Sequence, residues 1–287
     1  MSDFSARWLA LREPADRAAR SERLAKRFAA ALRTPRIFDL GAGTGANARY
    51  LAPLIAGDQE WILVERDPAL RATQKSAFRA WARRQRYRCV ETARAIVVEA
   101  NGARWRFRSR ATDLAGGCAG VPVRPGDAVT AAAFFDLVSS GWLARFAAWL
   151  ADRRAPFLGG LTVDGRRLWQ PALSTDALID LAFRRDQARD KGFGPALGAA
   201  AADALPRALR AAGFAVTTAA GDWRLGGETR SLCAALARAN AGVARAAWPE
   251  RKQMIDNWRR KRLKDAEDGR LALVVGHRCV LALPRGI

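Results

Sequence analysis

The chain of 287 residues has one histidine, His277, and only four cysteines, Cys89, Cys118, Cys233 and Cys279. Successive cysteines stand 29, 115 and 46 residues apart. No paired spacing exists, and one imidazole cannot complete a Cys/His cluster, so a structural zinc site and a disulfide framework are both poor expectations. No stretch approaches the roughly 18 uncharged apolar residues that a membrane-spanning helix needs, so no membrane span is expected. The first 33 residues interleave Arg7, Arg12, Arg17 and Arg20 with Asp3, Glu13, Asp16 and Glu22, which leaves no room for the apolar core of a secretory signal. A cytoplasmic protein is expected. No internal repeat and no long Gly/Ser or Pro linker forces a domain cut.

Arginine is what the chain has in excess. The formal net charge is +21, and 43 of the 49 basic residues are arginine against six lysines. Clustered cations attract phosphates, which makes RNA one partner class to consider. Arginine and alanine together fill more than a third of the chain, however, as GC-rich coding would produce, and that compositional reading competes with a polyanionic partner.

Hydrophobic periodicity predicts two N-terminal helices separated by Pro14, the second running to about Leu32 with Leu24, Phe28 and Leu32 on one face. Short apolar runs at Arg36–Leu40 and Trp61–Val64 suit buried parallel strands. Each is followed by a helix, from about Ala46 to Ile55 and from Pro68 to about Arg86. Asn101-Gly102 between Ile96–Val98 and Trp105–Arg110 predicts a two-residue hairpin. Further strands are expected at Ala128–Ala132, Pro156–Val163, Phe214–Thr218 and Cys279–Leu283. Helices are expected at about Gly141–Leu150, Thr175–Arg185, Ala199–Ala212 (kinked by Pro206), Glu228–Ala246 and Pro249–Lys264. Asp164–Gly194 reads as a polar, turn-rich insertion. Alternating β and α elements predict a doubly wound α/β fold that binds ligands at the carboxyl ends of its strands.

The segment Asp39-Leu-Gly41-Ala42-Gly43-Thr44-Gly45-Ala-Asn47 joins a buried strand to a helix, where a ligand approaches backbone N–H groups only if side chains are absent. Gly41, Gly43 and Ala46 also satisfy the dinucleotide pattern, which leaves an NAD-binding protein as an alternative. Asp39 weighs against it, because a carboxylate there repels a pyrophosphate yet can face an ammonium. Glu65 stands 20 residues beyond Gly45 at the end of the next strand, where an acid accepts both hydroxyls of a ribose.

Asp39 to Gly45, followed by Val64-Glu65, resembles the first two motifs of the class I S-adenosylmethionine-dependent methyltransferases. The resemblance spans roughly Arg36 to Leu283 and is strongest over its first part. It implies a Rossmann-like seven-stranded sheet with the last strand antiparallel, residues 1–34 as an N-terminal helical cap, and residues 35–287 as the methyltransferase domain with insertions at about 164–194 and 220–276. It implies S-adenosyl-L-methionine as cofactor, with Asp113 meeting the adenine amine and Ala133 and Phe134 lining the site. The segment Asp127–Asp136 would flank methyl transfer. Residues 132–135, Ala-Ala-Phe-Phe, are not the signature of amino-group methylation on nucleobases, and no cysteine suits cytosine C5 chemistry. A small-molecule acceptor with an oxygen or nitrogen nucleophile is therefore expected, with RNA as the alternative.

Each candidate has a plainer reading. Asp113 can be a helix cap or turn residue, Asp136 a solvated turn residue rather than a catalytic one, and His277 a hydrogen-bonded core histidine rather than a general base. Arg12, Asp16 and Arg20 share a helix face and either close over the cofactor or form a salt-bridge ladder. The alternating arginines of Arg104–Arg110 and the basic run Trp258–Lys264 are either phosphate contacts or solvated faces. Arg184–Gly194 mixes charge with glycine hinges and is expected to form a substrate-facing lid.

Overall fold

The structure, a computed structural model, describes residues 5–33 and 35–286. Ten strands form one sheet: β1 (Arg36–Leu40), β2 (Gln59–Glu65), β3 (Arg88–Glu91), β4 (Ile96–Ala100), β5 (Ala103–Ala111), β6 (Ala128–Ala132), β7 (Phe157–Gln170), β8 (Phe214–Ala220), β9 (Trp223–Leu225) and β10 (Ala272–Pro284). The order is β3-β4-β5-β2-β1-β6-β7-β10-β8, with β9 on β10. Strands β5, β2, β1, β6 and β7 are parallel, and β10 runs antiparallel between β7 and β8. Seven of the strands thus form the expected sheet with its antiparallel last strand. The count is ten because the β3–β4 pair extends one edge and β9 adds a short rung.

Nine helices accompany the sheet among the described residues: α1 (Ala6–Ala19), α2 (Glu22–Ala30), α3 (Ala46–Leu51), α4 (Pro68–Gln85), α5 (Ser140–Asp152), α6 (Asp176–Gln187), α7 (Ala201–Ala211), α8 (Arg230–Ala247) and α9 (Lys252–Glu267). Pro14 lies inside α1 and does not divide it. The break comes instead at extended Arg20, after which the Ser21 hydroxyl accepts from the Leu24 amide and caps α2. Asn101 and Gly102 adopt φ of +53° and +75°, the geometry the predicted hairpin requires.

One face of the sheet buries Leu24, Phe28, Trp61, Phe78, Trp81 and Trp105 beneath α2, α3 and α4. The other buries Phe38, Val64, Phe135, Trp142, Phe146 and Phe157 beneath α5, α7 and the loop after β5. Each such large apolar side chain contributes roughly 1.5–3 kcal/mol on leaving water.

A third core lies beyond the carboxyl edge of the parallel strands. Only residues 157–160 of β7 pair with β6; the strand then runs on to Gln170 with β10 as its partner throughout. The expected end near Val163 is therefore wrong. Residues 166, 168 and 170 are exposed while 167 and 169 are covered, a strand alternation hidden by a polar, turn-like composition. Likewise β10 begins at Ala272 rather than Cys279. Around this antiparallel extension α6, α8 and α9 bury Trp169, Ile179, Trp223, Leu236, Ile255 and Trp258. Segments 164–194 and 220–276 thus share one core.

Candidate active site

From β1 the chain passes to β2 and β5 on one side, then returns to β6 and β7 on the other, which leaves a crevice at the carboxyl ends of β1 and β6. The loop after β1 occupies it. Gly41, Gly43 and Gly45 have φ of +64°, +54° and +84°, in the left-handed region where side chains are strained. A Cβ on Gly41 would stand 2.8 Å from the Phe134 ring, and one on Gly45 would strike Phe78. A Cβ on Gly43 would meet only a methyl of Leu9, at 3.0 Å.

Glu65 holds this loop in place. Its Oε2 accepts from the Gly43 amide at 2.9 Å and its Oε1 from the Asp67 amide at 2.9 Å. A carboxylate offers about four acceptor sites, so capacity for further donors remains. Gln74 donates to the Gly43 carbonyl, and buried Arg49 joins the Thr44 carbonyl to Glu13 of α1 at 2.6 Å.

Beneath the loop, Asp39 is fully buried. Its Oδ1 accepts from the Asn47 amide nitrogen at 2.7 Å, while Oδ2 has no partner among the described residues. Burial pushes this carboxyl up to about 7, against the opposing effects of Asn47 and Arg20. Asn47 also donates to Thr130, and its oxygen accepts from Arg20, whose guanidinium lies 5.1 Å from the centre of the Tyr50 ring. A water-sized cavity of about 10 Å³ lies among Arg20, Asn47, Thr130, Gly159 and Gly160. Sequence spacing predicted the Asp39-to-Asn47 segment; the Arg20 link crosses 27 residues and shows only in the fold.

Arg12, Asp16 and Arg20 do not act as one group. Arg12 makes two hydrogen bonds to Asp16, at 2.9 and 3.0 Å, and stacks on Trp223, whose Nε1 donates to Asp16. The ladder reading holds for that pair, and Arg20 departs toward Asn47 because the helix has ended.

At the end of β6, Ala133 adopts φ +52° and its amide donates to the Gly160 carbonyl; nearby Leu161 adopts φ +58°. Two non-glycine residues in this region, each costing about 1–3 kcal/mol, mark a strained strip beside the crevice. Phe134 covers Gly41, and Asp136 follows in a short 3₁₀ turn. The Asp136 Oδ1 is buried without a partner, and burial raises its pKa to about 6, with Arg12 opposing. His277 lies elsewhere, on β10 opposite Val163, with its ring 5.1 Å from Trp223. Burial and the nearby Arg12 charge lower it to about 4, so the ring is neutral at neutral pH, and its Nδ1 has no partner. No hydrogen bond joins Asp136 to His277; Arg12 is a charge felt by both.

Asp113 is exposed at the end of β5, where it accepts from the Ala115 amide at 2.9 Å and pairs with Arg66 at 3.6 Å. Those are the contacts of a turn residue. The segment after α6 packs on the residues that follow β6. Asp190 Oδ1 accepts from the amides of Gly192 and Gly194, which presents Phe193 to Phe134 and Trp142 with ring centres 5.5 and 6.0 Å away. The Leu197 amide donates to the Val138 carbonyl. Phe193 was missed in the sequence; its place between two glycines was the available signal.

The basic run on α9 is mostly not a phosphate surface. Arg262 is fully buried between Trp169 and Trp258 and bound to Asp176, and Lys261 and Lys264 pair with Asp265 and Asp268. On β5, Trp105 and Phe107 are buried and Arg104, Arg106, Arg108 and Arg110 are exposed, as the alternation predicts. Ser109 is exposed as well, because the core ends before it.

No protein-family model matches the sequence, and no curated protein is similar to it. Several solved structures are similar in arrangement. A putative type II methyltransferase from Anaeromyxobacter dehalogenans is 14% identical with a TM-score of 0.48, covering 92% of this chain and 97% of its own. The cyclopropane synthase of Mycobacterium tuberculosis is 13% identical with a TM-score of 0.46, covering 98% and 87%. A methyltransferase from Thiobacillus denitrificans in complex with S-adenosyl-L-homocysteine is 15% identical with a TM-score of 0.43, covering 98% and 100%. At these levels, what the crevice can bind has to be read from this chain's own residues.

Proposed function

We propose that the chain is an S-adenosyl-L-methionine-dependent methyltransferase acting on an oxygen or nitrogen of a small molecule in the cytoplasm. The observation that carries this is the unpartnered Asp39 oxygen behind the glycine loop, linked through Asn47 to Arg20. A carboxyl and a guanidinium joined in this way suit the ammonium and carboxylate of an amino acid, and Asp39, once ionised beside that ammonium, would repel the pyrophosphate of NAD. Asp39 and Arg20 would hold the methionyl end, Gly43 would allow close approach, and the remaining acceptor capacity of Glu65 would take the ribose. Asp113 would lie toward the adenine, and residues 5–33 would serve as part of a cap.

The cofactor supplies an activated methyl group when bound. The protein's task is then to align the acceptor and exclude water. Phe134 covers the loop at Gly41, Phe193 packs on Phe134, and the buried Arg12–Asp16 pair covers the side toward β9 and β10. This enclosure supports a small acceptor over a polynucleotide. Asp136 would hold a proton from the acceptor, a role supported by its free oxygen and a pKa near 6. His277 is the weaker candidate for that role, because its low basicity and its place on β10 set it apart.

A second reading, methylation of RNA, draws on the exposed arginines of β5. Arg104 and Arg108 face Glu99 and Glu60 at 3.6 and 3.2 Å, while Arg106 and Arg110 have no carboxylate partner among the described residues. One experiment separates the readings. S-adenosylhomocysteine and NAD are titrated calorimetrically, and labelled S-adenosylmethionine is incubated with cell extract that is afterwards split into RNA and small-molecule fractions. Heat with S-adenosylhomocysteine alone and label in the small-molecule fraction is expected. Binding of NAD alone would overturn the cofactor, and label in RNA alone would overturn the acceptor class.

A further inference from the structure

Between the first half of α8 and the second half of α9 runs an open groove of about 510 Å³, lined by Arg230, Ser231, Arg238, Arg260, Lys264 and Glu267 around a floor of Ala234, Leu263 and Ala266. None of these residues belongs to the crevice at β1 and β6. The volume falls within the range of about 300–1,000 Å³ typical of small-ligand sites. Four cations face a single carboxylate across it. Lys264 is satisfied by Asp268 at 2.8 Å, and Arg260 donates to the Asn257 side chain. Among the described residues Arg230 and Arg238 have no carboxylate partner, although neighbouring arginines of the same lobe, Arg245 and Arg270, are paired with Asp256 and Asp265.

We propose that this groove is a second ligand site, distinct from the methyl-transfer crevice, which binds a small organic anion with an apolar body. Arg230 and Arg238 lie eight positions apart on one helix, a span of about 12 Å at 1.5 Å per residue. That length suits a compact amphiphile whose phosphate, sulfonate or carboxylate meets the arginines while its body rests on Leu263 and Ala234. A bound helix from another protein would need apolar anchors over several turns, and the floor offers only one large apolar side chain. Guanidinium groups are suited to this role because their fork matches two oxygens of an anion and they shed water more easily than ammonium. The proposal does not depend on the methyltransferase assignment, since no group of the crevice enters it.

The probe is 8-anilinonaphthalene-1-sulfonate, an apolar body carrying one sulfonate, titrated by fluorescence into the full chain. Arg230→Gln/Arg238→Gln should bind it about tenfold more weakly, equivalent to about 1.4 kcal/mol. Leu263→Glu, which places a carboxylate on the floor, should weaken it at least as much. Both arginines are exposed, so unchanged circular dichroism is expected in the double variant. The uncharged N-phenyl-1-naphthylamine should bind less tightly than the sulfonate and be insensitive to the arginine changes. Equal affinity of wild type and double variant for the sulfonate, or equal affinity of wild type for the charged and uncharged probes, would overturn the site.

Discussion

The loop after β1 and the lobe built on the β7–β10 extension solve opposite problems. At the loop, charge is gathered and left incompletely satisfied: Asp39 and Asp136 each keep a buried oxygen without a partner. In the lobe, Arg262 is as deeply buried and its Nε is also unpartnered, yet its terminal nitrogens are bound to Asp176 and the Pro171 carbonyl and it packs between two tryptophans. Arg262 spends its terminal nitrogens on fixing the lobe's own elements, whereas Asp39 and Asp136 each leave one carboxylate oxygen open beside the crevice. A buried charge is therefore informative about function only once its partners have been counted.

The comparison breaks most visibly if the lobe loses its internal partner. Arg262→Ala takes the cation from Asp176, leaving it only the Trp258 Nε1 and Leu173 amide donors, opens a gap between Trp169 and Trp258, and should cost roughly 3–5 kcal/mol in urea unfolding. A loss below about 1 kcal/mol would mean that the pair is not structural. Next, Gly45→Ala combines left-handed strain with a clash against Phe78 and should cost about 2–4 kcal/mol. Gly43→Val, facing only a leucine methyl, should cost less in stability yet abolish S-adenosylhomocysteine binding by calorimetry.

The two regions should also respond to pH with opposite sign. Asp39 has its folded pKa raised from 3.8 to about 7, so between those values the folded state holds more protons and stability falls as pH rises. His277 has its folded pKa lowered from 6.5 to about 4, so in that window the unfolded state holds more protons and stability rises with pH. A tenfold difference in a group's acidity between the folded and unfolded states corresponds to about 1.4 kcal/mol. Urea unfolding from pH 4.5 to 7.5 should show Asp39→Asn gaining on wild type as pH rises and His277→Gln falling behind it. Parallel curves for either variant would refute the burial effect at that residue.

Smaller effects sharpen the contrast. Glu65→Ala removes hydrogen bonds to a charged acceptor worth roughly 1.5–3 kcal/mol, so S-adenosylhomocysteine should bind about ten- to a hundredfold more weakly, with Glu65→Gln between. Unchanged affinity would show that Glu65 serves the loop alone. Replacing Arg259, Arg260 and Lys264 by Gln while keeping Arg262 should change stability by less than about 1 kcal/mol, because exposed ion pairs contribute little. A larger loss would show that the solvated face of α9 is structural.

What was legible in the sequence was contiguous. The glycine loop, Glu65 and the Asn101-Gly102 turn each depend on residues close in sequence or on one strand-to-strand spacing, and their backbone needs are written in glycine and asparagine. The extension of β7 was not legible, because it is held by residues about a hundred positions away in β10, and its polar composition resembles a loop. The same distance hid Arg262, which looks like a solvated cation until Asp176, Trp169 and Pro171 are brought around it. Arg12, Asp16 and Arg20 shared a helical period, but the end of α1 redirected the last of them. Phe193 became meaningful only when Phe134 and Trp142 surrounded it.

The ladder between β7 and β10 runs from Phe157 to Gln170 on one side and from Ala272 to Ala282 on the other, continuing from the parallel sheet into the lobe with two register shifts, between Val275 and His277 and between Arg278 and Val280. Two such strands act as a splint, so the lobe cannot swing away from the sheet as a hinged body. The 188–198 strap is tied down differently, by Phe193 on Phe134 and Trp142 and by the Leu197 amide on the Val138 carbonyl. In native-state hydrogen exchange the amides of Leu158, Leu281 and Ala282 should be released only with global unfolding, whereas those around Phe193 should exchange through local opening at far lower free energy.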